Sequence, residues 1–319
     1  MRLNAMLIGI LFFIPLNSCS KVQQDEFPIL KGPYLAQKPP DMVPEIFAPG
    51  IINTEDKNHS SVTVSPDGEE IYWSLFSTID GIRQERIWCM RMNREGIWMA
   101  PEVAPFSGRY RDGQPSFSPD GRRIYFSSLR AVNQYDRTED ANIWFVEKTR
   151  NGWGTPQCID FTVNTEHQEW FPSVAKNGNI YYALKRVDEG TSWNIYVAKF
   201  KAGKYENPKP MGEAINSLFN EMTPYIDPDE KFIIFFSERP TGNFIDGRLY
   251  ISFRNPDGSW NDAQKLGKYF DTSTTRFPNI SLDGKYFFFT KLVNQSEDIY
   301  WVNVKSIERI NEIKLKQEY

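Results

Sequence analysis

Residues Phe117 to Ser128 read FSPDGRRIYFSS: a rigid turn, Pro119-Asp120-Gly121, wedged between two short apolar runs. Proline fixes φ at the first turn position, aspartate can bond its own backbone, and glycine accepts the positive φ that a tight reversal needs. The flanking runs are therefore antiparallel partners. The same arrangement recurs as TVSPDGEEIYWS from Thr63, SVAKNGNIYYA from Ser173, YIDPDEKFIIFFS from Tyr225 and NISLDGKYFFFT from Asn279. Between the residues that precede the turns, Ser65, Ser118, Ala175, Asp227 and Ser281, the spacings are 53, 57, 52 and 54.

Each copy is followed by a polar loop and a further strand (RIWCMRM, NIWFVEK, NIYVAKF, RLYISFR, DIYWVNV). In the first four copies a glycine turn then carries a nearby aromatic: Trp98, Trp153, Tyr205 or Trp260. About four short strands per unit, apolar on both faces, cannot stand alone and must stack on their neighbours. Radial stacking of such units predicts an all-β chain, a β-propeller of four-stranded blades. The fifth unit lacks the glycine-aromatic turn, whereas Pro44 to Asn53 (PEIFAPGIIN) resembles the outer stretches TPQCIDFTVN and NPKPMGEAIN. An N-terminal strand is thus expected to complete the last blade and close a ring of five, which removes the exposed sheet edge. A sixth blade would need a unit that the chain does not show.

These SPDG-plus-aromatic-strand units, over about residues 44 to 304, resemble the WD40-like repeats of the TolB-like propellers and of many bacterial envelope lipoproteins. The resemblance implies architecture more than activity, because such propellers mostly bind proteins while some relatives carry enzymes. The sialidase Asp box differs, since here Asp67-Gly68, Asp120-Gly121 and Asp283-Gly284 are adjacent.

Composition agrees with a folded protein: 319 residues, 24% charged, 40% hydrophobic and 15% aromatic. Net charge is −4, and −5 once the segment before Cys19 is lost with Arg2. A mildly acidic chain with scattered basic residues argues against nucleic-acid binding. Arg2 followed by the apolar run AMLIGILFFIPL reads as a secretory signal peptide, too short to span a bilayer. Leu16-Asn17-Ser18-Cys19 resembles the lipobox of bacterial lipoproteins, which implies residues 1–18 as signal, a lipid on Cys19 and membrane attachment through that anchor. Ser20 favours the outer membrane and leaves open which face the protein occupies. Residues 19–41 read as a flexible tether, 42–305 as the propeller and 306–319 as a C-terminal tail. Cys89 and Cys158 read as free thiols, and with His59 and His167 they are too few for a zinc site; no metal or cofactor is implied.

Propellers place ligands at the mouth of the central channel. The first residue of each innermost strand faces the end of the second strand, which sets Asp112 opposite Arg130, Glu169 opposite Arg186 and Glu221 opposite Arg239. The first unit has His59 there, facing Leu75 or Phe76, and the fifth has Thr275, facing Leu292 or Val293. A less charged gap is then bordered by Asn58, His59, Arg276 and Lys291. These residues form the candidate ligand-binding mouth, and no catalytic residue stands out. The expectation is a non-catalytic envelope module that binds a protein or peptide partner, with a glycan also possible. The alternative is a carbohydrate-active enzyme, a hydrolase or lyase, that uses carboxylates of the same mouth.

Overall fold

The structure, a computed structural model, describes residues 27–54, 58–79, 81–133, 140–186, 192–240, 247–267, 269–270, 275–293, 296–307 and 310. The expected signal segment, Cys19 and residues 308, 309 and 311–319 of the tail lie outside the described residues, as do residues 134–139.

Five antiparallel sheets form the blades of a β-propeller. Blade 1 runs outward through Asn58–Val64, Glu70–Ile79, Ile82–Arg91 and Glu102–Val103, and blade 2 through Asp112–Phe117, Arg123–Ser128, Asn142–Thr149 and Gln157–Cys158. Blade 3 consists of Gln168–Val174, Ile180–Lys185, Asn194–Ala198 and Lys209–Pro210; blade 4 of Glu221–Ile226, Phe232–Ser237, Arg248–Phe253 and Gln264–Lys265. Blade 5 combines Thr275–Ile280, Tyr286–Val293 and Ser296–Asn303 with the N-terminal strand Glu45–Ile46, which pairs Glu45 with Trp301 and Ile46 with Tyr300.

The ring closes by the same device that finishes other blades. Asn164 and Asn216 each clamp the third strand of their own blade, bonding both N–H and C=O of Ile143 and of Ile195. Asn53 does this to Ile299 across the chain ends, at 2.9 and 3.0 Å. A side-chain amide that supplies both a donor and an acceptor thus stands in for two ladder bonds.

The Ser-Pro-Asp-Gly turns have the expected chemistry. Gly121 takes φ 68° and donates to the Ser118 carbonyl at 2.8 Å, while the Ser118 hydroxyl donates to Asp120 and accepts from the Arg123 amide at 2.9 Å. In blade 4 the glycine position holds Glu230, at φ 56°. Between blades, the recurrent aromatics pack on the preceding unit. Trp153 donates to Tyr72 at 2.6 Å, and Trp260 packs against the core that blades 3 and 4 share.

Two boundaries differ from the sequence expectation. Residues 27–41 are not a free tether over their described part: Tyr34 and Leu35 are 7% and 3% exposed, packed with Phe288 and Trp301, and the Trp98 indole bonds Gly32. Apolar side chains spaced among prolines here cover the seam between the last and first blades. The body also extends past Ser306, since Ile307 and Ile310 are buried in the core of blades 4 and 5.

Candidate functional site

Every innermost strand carries one extra residue. The registers shift between Gly113 and Ser116, between Trp170 and Ser173, between Met222 and Tyr225, and between Arg276 and Asn279. The bulged residues Gln114, Phe171, Thr223 and Phe277 take φ of 54°, 61°, 50° and 51°, and each precedes a proline. Left-handed backbone disfavours side chains other than glycine by about 1–2 kcal/mol, so partners must hold it. Ser74 accepts the Gln114 amide at 2.7 Å, and Ser127 accepts that of Phe171 at 3.0 Å.

The bulges turn these side chains inward, where with Ser61 they line a channel cavity of about 30 Å³. Phe171 and Phe277 meet with ring centroids 5.8 Å apart. That volume is about one water's share, so this part of the channel has no room for a ligand larger than water.

The register differs from the expected pairing by two residues in blades 2 to 4, one of which the extra residue accounts for. Asp112 faces Ser128, Glu169 faces Leu184, Glu221 faces Ser237 and Thr275 faces Lys291, while His59 does face Leu75. Arg130 still reaches Asp112 through its side chain at 2.6 Å, and Arg239 lies 3.6 Å from Glu221. Arg186 is half-buried at the end of its strand and does not bond Glu169.

His59, Asp112, Glu169, Glu221 and Thr275 are all 0% exposed. Each clasps the segment that enters its own blade. Ser107 donates to Asp112 at 3.0 Å, Thr165 to Glu169 at 2.5 Å and Ser217 to Glu221 at 2.5 Å, while Thr275 donates to the Phe270 carbonyl at 3.2 Å. The His59 ring nitrogens lie 2.8 and 3.0 Å from the carbonyls of Ile52 and Glu297, which ties the chain ends together. Asp112 and Glu221 are therefore occupied by hydroxyls and arginines. Glu169 departs from this pattern: its Oε2 has no hydrogen-bond partner among the described residues, and burial pushes the carboxyl up to about 8 despite the Thr165 bonds.

At the residue that follows the clasp the blades diverge: Ser60, Gly113, Trp170, Met222 and Arg276. Gly113 leaves a space that Glu85, on the third strand of blade 1, fills; a Cβ on Gly113 would lie 2.3 Å from Glu85 Oε1. The buried Glu85 carboxylate accepts from Ser60 at 3.1 Å and from the Gln114 amide at 2.5 Å, with Arg111 Nε at 3.8 Å. Arg111 in turn stacks on Trp170, its Cζ 5.1 Å from the ring centroid. Arg276 lies over Phe236 at 5.1 Å and 4.0 Å from Glu297.

Sequence reasoning named Arg276 and missed Glu85, Arg111, Gln114 and Trp170. The available signal was Gly113, since glycine inside a strand marks a close approach.

A wide groove of about 990 Å³ lies instead on the turn face between blades 2 and 3. Three of its cations are consumed in ion pairs, Arg123 with Glu147, Lys148 with Glu70 and Lys176 with Asp229. Among the described residues no group of three or more His, Cys, Asp or Glu could hold a metal ion.

No protein-family model matches the chain, and no curated protein matches it in sequence. Solved structures do match in fold. A thermostable family-43 glycoside hydrolase is 12% identical with TM-score 0.53, the match covering 79% of this chain and 90% of that one. An exo-1,5-alpha-L-arabinanase from a bovine ruminal metagenomic library is 11% identical with TM-score 0.45, covering 78% and 93%. An oligogalacturonate lyase from Vibrio parahaemolyticus is 16% identical with TM-score 0.41, covering 78% and 67%. At these identities the likeness is one of fold. The expectation of a non-catalytic binding module is corrected to this extent: the chain shares its fold with a family-43 glycoside hydrolase, so the fold gives no ground for setting catalysis aside.

Proposed function

We propose that this propeller is a carbohydrate-active enzyme, a glycoside hydrolase that works at the channel mouth beside blade 1. The observation that carries the reading is the Glu85 cluster, in which Gly113 makes room for a carboxylate ringed by Ser60, Gln114 and Arg111. The fold shared with the family-43 glycoside hydrolase supports it.

Glycosidic cleavage by retaining or inverting enzymes uses two carboxyl groups, one proton donor and one base or nucleophile. Glu169, pushed up to about 8 by burial, keeps its proton at neutral pH and supplies the acid. Glu85 supplies the carboxylate, and Trp170, which follows Glu169 and stacks with Arg111, offers an aromatic ring for a sugar. Asp112 and Glu221 keep their clasping role, with His59 and Thr275.

Release of reducing ends from a panel of polysaccharides and aryl glycosides tests the reading. Glu85→Gln should lower the rate by about 10²-fold or more, with the fold intact by circular dichroism. Cleavage that survives this change at full rate refutes the assignment.

The reading also carries over the sequence expectations of export, a lipid on Cys19, an outer-membrane location and kinship with the TolB-like propellers. The lipobox-like LNSC and the repeated SPDG turns support them.

A further inference from the structure

We propose that the substrate is an acidic glycan, a uronate-containing oligosaccharide whose carboxylates are received by Arg111 on the blade 2 side and Arg276 on the blade 5 side. The inference rests on the glycoside-hydrolase reading for the site and adds its substrate class.

Several arginine side chains in this propeller are consumed by hydrogen bonds. Arg130 bonds Asp112, Ser128 and the Phe106 carbonyl; Arg254 bonds Glu230 and the Gly258 carbonyl. Arg111 and Arg276 are among those that are not, since no guanidinium N–H of either makes a hydrogen bond among the described residues, and each combines this with a place beside blade 1 and a carboxylate close by. Their ion pairs, at 3.8 Å to Glu85 and 4.0 Å to Glu297, are too long for one.

What holds them is stacking, on Trp170 and on Phe236, and 39% and 42% of their side chains stay exposed. A guanidinium with its plane fixed by a ring and its donors unspent is pre-organised for a planar anion. The two flank blade 1, whose innermost strand carries the small Ser60 and Ser61.

Glycan chemistry offers two such anions, carboxylates and sulfate esters. The planar bidentate match favours the carboxylate.

Isothermal titration of the wild-type chain and of Glu85→Gln with short oligomers of galacturonate, glucuronate and mannuronate tests the proposal. The same oligomers as methyl esters and a sulfated neutral oligosaccharide serve as the other arms. One uronate series should bind, its ester about 10- to 100-fold more weakly, and Arg111→Gln and Arg276→Gln should each cost a similar factor. Equal binding of acid and ester, preference for the sulfated sugar, or no binding of any uronate overturns it.

The two readings fail differently. Cleavage confined to neutral glycans overturns the acidic substrate and leaves the hydrolase standing. Uronate binding without cleavage of any glycan does the reverse.

Discussion

Replacing Gly113 by alanine tests the geometry on which the site depends. The new methyl would lie 2.3 Å from Glu85 Oε1 and 2.4 Å from its Cδ. Ordinary contact needs about 3.5 Å, so the carboxylate must retreat by roughly 1 Å. Glu85 is fully buried and fixed by Ser60 and Gln114, so this retreat strains the packing and breaks charge-assisted bonds. Overpacking costs about 1–3 kcal/mol and a lost bond to a charged group about as much, giving a loss of roughly 2–4 kcal/mol. A chain of this size should then melt roughly 5–10 °C lower by circular dichroism. Glycan cleavage should drop about 10²-fold, as misplacement of a reacting group by 1 Å does. The double variant Glu85→Ala/Gly113→Ala should recover part of the lost stability, because the methyl then enters vacated space. A Gly113→Ala protein that melts with the wild type, or a double variant no more stable than the single, refutes the placement of Glu85.

Glu230 stands in the left-handed glycine position of the blade 4 turn and joins blades 3 and 4 through Asn179, Tyr181 and Arg254. Glu230→Gly should therefore destabilise by about 2–4 kcal/mol in chemical denaturation although it relieves the backbone, and an unchanged midpoint contradicts this. Burial raises the Glu230 carboxyl, but those three bonds outweigh it and hold the group below its ordinary range. Its contribution is thus present above about pH 4.5 and lost as pH falls below that. Glu169 has the opposite sign: raised to about 8 by burial, it contributes full stability below about pH 4.5 and loses it as pH rises through 8. Glu169→Gln should flatten that decline in a pH series of melts. Cys19→Ala should release the protein from the membrane fraction, and continued retention contradicts the anchor. Cys89, buried and with its thiol pushed up to about 12, should stay unlabelled by maleimide in the native state at pH 7.

The ring and its closure were legible because both rest on local chemistry. Pro-Asp-Gly dictates a reversal wherever it occurs, and the likeness of the segment ending at Asn53 to those ending at Asn164 and Asn216 reflects one shared clamp. The mouth was legible only in part. Nothing local announces that Gln114 and Phe171 enter the left-handed region, since their amides are held by Ser74 and Ser127 of the preceding blade. The observed register sets the partners of Asp112, Glu169 and Glu221 two residues from those expected, one of them owed to the bulge, and Asp112 and Glu221 serve as clasps rather than ligand-facing acids. Glu85 escaped notice because it acts across a blade boundary, through a gap left by a glycine 28 residues away in sequence. Repetition directs attention to what every blade shares, whereas this site lies in the column where the blades differ.

The most direct test of the account is the release of new reducing ends from a broad glycan panel, acidic oligomers included, by the wild type, Glu85→Gln and Glu221→Gln. The account predicts cleavage of an acidic glycan by the wild type, lost by about 10²-fold or more in a folded Glu85→Gln protein. In Glu221→Gln it should persist in proportion to the folded fraction. Cleavage by none of the three, or loss in Glu221→Gln with full activity in Glu85→Gln, contradicts the central claim.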